Sequence, residues 1–213
     1  SIIKKQEVEK IELKVNQKTI LHLEKQRQIK LKNITDAPKF LMHNLIIEHS
    51  DKKLKAKIRI KGDRAIHWKD RDSTSYKIDM RGKNRIWGLE EFSVQKPIAR
   101  NYTYEYIFHK FLEEANHLNL KYFFVNLFFN DEDRGLYAVE ESFSKELLER
   151  QKKRNGPIFG IDETISASYP NVNYDLYSSE FWFTEQPDLT KSAFSILNNL
   201  RDNELDQKIL DHF

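Results

Sequence analysis

From Lys55 to Met80 the chain carries two alternating runs separated by a charged loop, and this pattern leaves little freedom in how the segment folds. In the first run Ala56, Ile58 and Ile60 share one side, while Lys55, Lys57, Arg59 and Lys61 share the other. A period of two marks a strand with one face in a core and one in water, because successive side chains of extended backbone point to opposite faces. Tyr76, Ile78 and Met80 alternate in the same way with Ser75, Lys77 and Asp79. Pairing the two runs gathers Arg59, Lys61 and Lys77 on the polar side, beside a loop that starts at Gly62. Such a grouping is a candidate anion site. A wet sheet face carrying Lys and Arg only for solubility accounts for the same pattern.

The rest of the chain supplies core material for one sizeable domain. Its 213 residues include 14 Phe and 9 Tyr, and charged residues reach 32%, which argues against low complexity. Lys+Arg 36 against Asp+Glu 33 leaves a net +3, too balanced for a dedicated nucleic-acid binder. Cysteine is absent, which removes disulfides, thiol nucleophiles and Cys-based zinc sites. No apolar run is long enough to span a bilayer. The first residues show neither an initiating Met nor a signal peptide, and the last end within a helix-like pattern, so a processed or excised piece is expected.

In chain order, Val8 to Val15 reads as a strand, Thr19 to Lys32 as a basic surface helix, and Phe40 to Glu48 as a short strand, with Asp36 to Pro38 breaking the chain between them. His22, His43 and His49 lack metal-ligand spacing. After Pro97 a helix is expected from an N-cap at Asn101, its stripe of Tyr104, Phe108, Phe111, Leu112 and Ala115 facing the sheet. Glu105 lies at the margin of that stripe. Tyr122 to Phe129 is the most hydrophobic run and reads as a central strand, joined by an acidic turn to a second hairpin arm, Leu136 to Glu141. The turn lacks the spacing of a calcium loop. Lys145 to Arg154 reads as a helix stopped by Asn155, Gly156 and Pro157, and Ile158 to Ile161 as a brief strand. Residues 163–188 read as an irregular aromatic stretch, followed by helices over Leu189 to Leu200 and Glu204 to Phe213. The whole predicts an α+β chain around an antiparallel sheet with packed helices.

Nucleophile triads lack support, and Glu140 and Glu141, as strand neighbours, point to opposite faces and do not converge on one bond. Phosphate chemistry is the better-supported enzymatic idea, since a Gly turn, a strand lysine, a helix with a flank Glu and a hairpin follow in the order found in a kinase small lobe. Several blocks carry a more specific signal: Ile58 to Asp63 (Ile-Arg-Ile-Lys-Gly-Asp), Ser75 to Ile78, Phe92 to Gln95, Arg100 to Glu105, Gly135 to Glu141 (Gly-Leu-Tyr-Ala-Val-Glu-Glu) and Asn155 to Ile158. Together they resemble the CotH family of atypical, bacterial protein-kinase-like proteins named for a spore coat protein, over roughly residues 55–162.

That resemblance implies a kinase-like fold that binds ATP with Mg and phosphorylates Ser or Thr of partner proteins, in an exported or cell-envelope setting. Arg59, Lys61 and Gly62 then resemble the phosphate-side loop, and Lys77 the catalytic strand lysine. Glu105 stands where that lysine's partner is expected, and Glu141 near the adenine side. The loop departs from the family pattern in placing Asp63, Arg64 and Ala65 where serines are usual. The metal-binding and catalytic carboxylates are expected beyond Phe213, so the piece alone is expected to be inactive. The expected layout is an N-terminal extension at 1–54, a nucleotide-facing lobe at 55–162 resembling a kinase small lobe, and the beginning of a helical lobe at 163–213. A different class of reading keeps the fold as a non-catalytic binding or scaffold module, and a third has Arg64, Trp68, Lys69 and Arg71 bind a polyanion.

Overall fold

The computed structural model describes residues 8–32, 40–62, 64–161 and 174–202, so Asp63, residues 162–173 and the predicted helix from Glu204 lie outside the described residues. The two alternating runs become β3 (Lys52–Ile60) and β4 (Tyr76–Met80), antiparallel, with Ile58 opposite Ile78 and Arg59 opposite Lys77. Around them stand β1 (Lys10–Lys14), β2 (His43–His49), β5 (Glu91–Gln95), β6 (Tyr122–Phe129) and β7 (Glu132–Glu141).

The sheet does not stay open. Its seven strands close into a barrel in the order β1-β2-β3-β4-β5-β7-β6, because β1 pairs antiparallel with β2 on one side and parallel with β6 on the other. This corrects the expectation of an antiparallel sheet with packed helices resembling a kinase small lobe. An open sheet exposes two edges of unpaired backbone groups, and here β1 satisfies both at once. The chain remains mixed α+β, but it is built as a barrel with few helices.

Alternation decides what fills the barrel. Ile11, Leu13, Leu45, Ile47, Ile58, Ile78, Phe92, Val94, Val125 and Val139 point inward and are almost wholly buried. Helix α1 (Gln17–Lys32) lies by one barrel mouth and is less superficial than its basic sequence predicts. Leu23 joins the core, and the buried Gln26 side chain accepts from the N–H of Ile60 at 3.0 Å and donates to the carbonyl of Leu41 at 2.8 Å. These bonds satisfy backbone groups where β3 leaves the sheet.

The helix after Pro97 differs most from expectation. A short 3-10 helix, Pro97–Arg100, comes first, Asn101 takes the left-handed conformation, and α2 spans Tyr104–Glu114 with Thr103 at its N-cap. Its aromatic stripe faces outward, with Tyr104 71% and Phe111 67% exposed and Ile107 and Phe108 also in solvent. The inward face instead carries Tyr106, which meets Phe124, and His109, which lies over Tyr122. His109 Nδ1 accepts the N–H of Leu120 at 3.1 Å, and that bond fixes which face turns inward.

The chain divides into two compact units, Ser1–Lys152 and Lys153–Phe213. The first ends with α3 (Lys145–Arg150), capped by Ser144, whose hydroxyl accepts from the N–H of Leu147. The second pairs β8 (Phe159–Ile161) with β9 (Tyr174–Leu176) and continues into α4 (Ser179–Glu185) and α5 (Pro187–Asp202). Part of the stretch read as irregular is therefore regular: the aromatic cluster of Phe181, Trp182 and Phe183 is helical, with Trp182 buried. No helix among the described residues is long and apolar enough to cross a membrane.

Candidate functional site

Strand register draws one transverse row on the outside of the barrel. Arg59 stands opposite Lys77, Lys77 opposite Ser93, Ser93 opposite Glu140, and Glu140 opposite Tyr122, so five strands contribute one side chain each. Outward residues of a small barrel ordinarily meet water. Here Ser93, Gln95 and Tyr122 are buried and Glu140 nearly so.

At the centre Lys61 Nζ lies 3.0 Å from Glu140 Oε1, with the two side chains only 19% and 13% exposed. Gln95 Nε2 donates to the other carboxylate oxygen, and Arg100, delivered by the 3-10 helix, brings its Nε to 3.6 Å of it. Burial by itself would raise the Glu140 carboxyl, but Lys61 and Arg100 with the donated hydrogen bonds outweigh it and hold the group below its ordinary value, ionised. Burial is also the main influence on Lys61, lowering it against the pull of Glu140. Among the described residues the buried Arg100 Nε has no hydrogen-bond partner. The Tyr122 hydroxyl is raised by burial first and then by the charge of Glu140.

Lys77 lies in the same row. It pairs with Glu91 and donates to the hydroxyl of Ser142 at 2.8 Å. Glu105 does not meet it: its carboxylate lies 3.4 Å from His109 Nε2, on α2 itself. Arg59 donates back to the carbonyl of Ile60. Glu141 faces away from Glu140, as strand neighbours must, and receives Arg150 Nη2 at 2.5 Å and the N–H of Lys121 at 2.8 Å. Of the residues singled out from sequence, Arg59, Lys61 and Lys77 therefore share one face, whereas Glu105 and Glu141 take part in separate pairings.

Gly62 leaves β3 with φ of +92°, and a Cβ there would collide with the His67 ring. Both the backbone conformation and the close approach require glycine. His67 Nδ1 in turn lies 3.0 Å from the hydroxyl of Ser75, which ties the loop to the start of β4. Trp68, one of the four residues of the polyanion reading, is buried in the core and presents nothing to a ligand.

Sequence reasoning missed Glu140, Gln95, Arg100 and Tyr122 as members of one cluster. A signal existed: Gln95 and Glu140 are polar residues at outward positions of strands whose outward neighbours include Ala138 and Phe124. The row is cationic. Arg59, Lys61, Lys77 and Arg100 stand against Glu91 and Glu140, an arrangement that can take up an anion bearing several charges. Among the described residues no group of three or more His, Asp or Glu side chains is placed to hold a metal ion.

Comparison with known proteins gives one finding that bears on this row. A family model described as CotH kinase protein matches residues 58–210, which contain every residue of the row. No curated protein matches the chain significantly.

Proposed function

Because this chain belongs to the CotH kinase family, we propose that its kinase-related role is to bind ATP on the outer row of the barrel, for transfer of phosphate to Ser or Thr of a partner protein. The observation that carries this reading is the half-buried cationic row itself, in which, among the described residues, Arg100 Nε lacks a hydrogen-bond partner and Lys77 pairs with one carboxylate. Phosphate oxygens suit such donors, because charge-assisted hydrogen bonds from Lys and Arg are roughly twice as strong as neutral ones. The Lys61–Glu140 pair is the fixed part of the site: its charges are already matched, and it holds Gln95 and Arg100 in place. Lys77 and Arg100 are the groups that meet phosphate.

Transfer of a phosphoryl group needs charge neutralised on its oxygens, which Lys and Arg supply from this face and which magnesium supplies in kinase-type reactions. The described residues offer no cage for that ion, so its ligands are not assigned to the barrel. An exported or envelope protein is the proposed kind of partner, in line with the family resemblance.

Calorimetric titration with ATP, with and without Mg²⁺, tests the reading. Lys77→Ala and Arg100→Ala are each expected to lower affinity at least about tenfold, the effect of losing a charge-assisted contact. Wild-type affinity in both, with melting temperatures unchanged, overturns it. The exposed aromatic face of α2 favours a second reading, a non-catalytic binding module. That reading gains if the wild-type chain takes up no ATP under any of these conditions.

A further inference from the structure

A cavity of ≈ 190 Å³ opens at the barrel mouth beside α1, apart from the outer row: none of Lys61, Lys77 or Glu140 lines it. Its apolar lining comes from Leu23 of α1 and Ile60 at the end of β3. Tyr76 and Phe129 add two aromatic rings, stacked at 5.4 Å between centroids with 18° between planes. Burial pushes the Tyr76 hydroxyl up to about 12, so this wall carries no negative charge near neutral pH.

The polar lining is made of arginines in unequal states. Arg27 is pinned by the carbonyls of Trp68 and Lys69 and by Glu24, at 3.0, 3.0 and 3.1 Å. Arg134 is pinned by Asp72 and Glu132. The guanidinium of Arg71, from the short 3-10 helix Arg71–Ser73, has no hydrogen bond or ion pair among the described residues, although Arg71 lines the same cavity. The lining thus holds three guanidinium groups against the carboxylates of Glu24 and Glu132. These carboxylates, with Asp72, are taken up by Arg27 and Arg134, and Arg71 is the arginine whose donors are unused.

We propose that this cavity is a binding site for a small aromatic monocarboxylate, its ring against Tyr76 and Phe129 and its carboxylate held by Arg71. One guanidinium with unused donors suits a monoanion, since the other two arginines of the lining are already paired. The fork of guanidinium donors matches a carboxylate in a bidentate geometry, and the apolar lining rewards a ring over a polar chain. The site is separate from the nucleotide reading and does not depend on it.

Benzoate is the probe, titrated into the full chain by NMR shift perturbation or calorimetry, with benzyl alcohol as the uncharged match. Benzoate is expected to bind at least about tenfold more tightly than benzyl alcohol, with shifts centred on Tyr76 and Phe129. Arg71→Ala is expected to remove that advantage, and Arg71→Lys to restore part of it. Since the Arg71 side chain is exposed and unbonded, neither variant should lower the melting temperature. Lys77→Ala should leave benzoate affinity unchanged. Equal binding of benzoate and benzyl alcohol, no binding of either, or full benzoate affinity in Arg71→Ala overturns the proposal.

Discussion

The outer row of the barrel and the outer face of α2 are inverted with respect to their sequences. On β3, β4, β5 and β7 the polar positions of an alternating pattern promise contact with water, yet Lys61, Ser93, Gln95 and Glu140 are largely covered. On α2 the apolar stripe promises contact with the sheet, yet Tyr104, Ile107, Phe108 and Phe111 stand in solvent. The difference teaches that periodicity tells which residues share a face and leaves open what that face meets. On α2 the choice goes to the face bearing His109 and Tyr106, because His109 accepts an otherwise unsatisfied backbone N–H and Tyr106 reaches Phe124. The paired N–H accounts for about 1–3 kcal/mol of that preference, the cost of leaving it buried and unpaired, with the Tyr106–Phe124 contact adding to it.

The sharpest way to break the comparison is to remove the charge that makes the covered row tolerable. Glu140→Ala leaves Lys61 buried without its counter-charge, and an expected loss of roughly 3–5 kcal/mol in urea unfolding follows from the cost of an unpaired buried ion. A loss under about 1 kcal/mol places the row in water after all. Next in size is Gly62→Ala. The left-handed backbone and the contact with the His67 ring together predict roughly 2–3 kcal/mol of destabilisation by thermal melting, whereas a loop free to move would lose a few tenths.

Acid should act on two groups of the barrel at different pH. His43 stacks on His22 with centroids 4.1 Å apart and sits below its ordinary 6.5, first because of burial and then because of His22 and Lys18. The unfolded chain therefore binds the proton more readily, and stability falls as pH drops through the histidine range. Glu140, held below its ordinary 4.5, contributes stability that is complete above that value and is lost as pH falls through its lower folded value. A pH series of melting temperatures should show both declines, and His43→Gln should remove only the first. The smallest expected effect belongs to α2. Phe111→Ser should change unfolding free energy by no more than about 0.5 kcal/mol, as for an exposed position, and a cost near that of a core Phe, about 3–5 kcal/mol, would mean the stripe is covered in solution.

Much of the barrel was legible in advance. The strand pair at Lys55–Met80, the aromatic strand at Tyr122–Phe129 and its returning arm announce themselves by alternation or by apolar density bounded by turn residues, and each stands within a few residues of its reading. The family resemblance read from the blocks between Ile58 and Ile158 agrees with the match over residues 58–210. Closure was not legible. It depends on Lys10 to Leu13 pairing with Asn126 to Phe129, and a pairing between distant stretches leaves no mark in either one, because backbone hydrogen bonds carry no residue identity. The site was half legible for a related reason. Arg59, Lys61 and Lys77 lie on two neighbouring strands whose pairing the pattern implies, while Glu140 and Arg100 arrive from β7 and from a 3-10 helix whose placement no local pattern specifies.

By itself the amino-acid order determined which side chains share a face, where the chain turns, and that cations would gather opposite the apolar side of β3 and β4. Only the tertiary structure decided that those strands curl into a barrel, that Lys61 takes Glu140 and Lys77 takes Glu91, and that α2 turns its histidine inward. The reason is physical: alternation and helical period follow from backbone geometry within a few residues, whereas ion-pair choice and burial follow from distances set by hydrogen bonds between strands far apart in the chain.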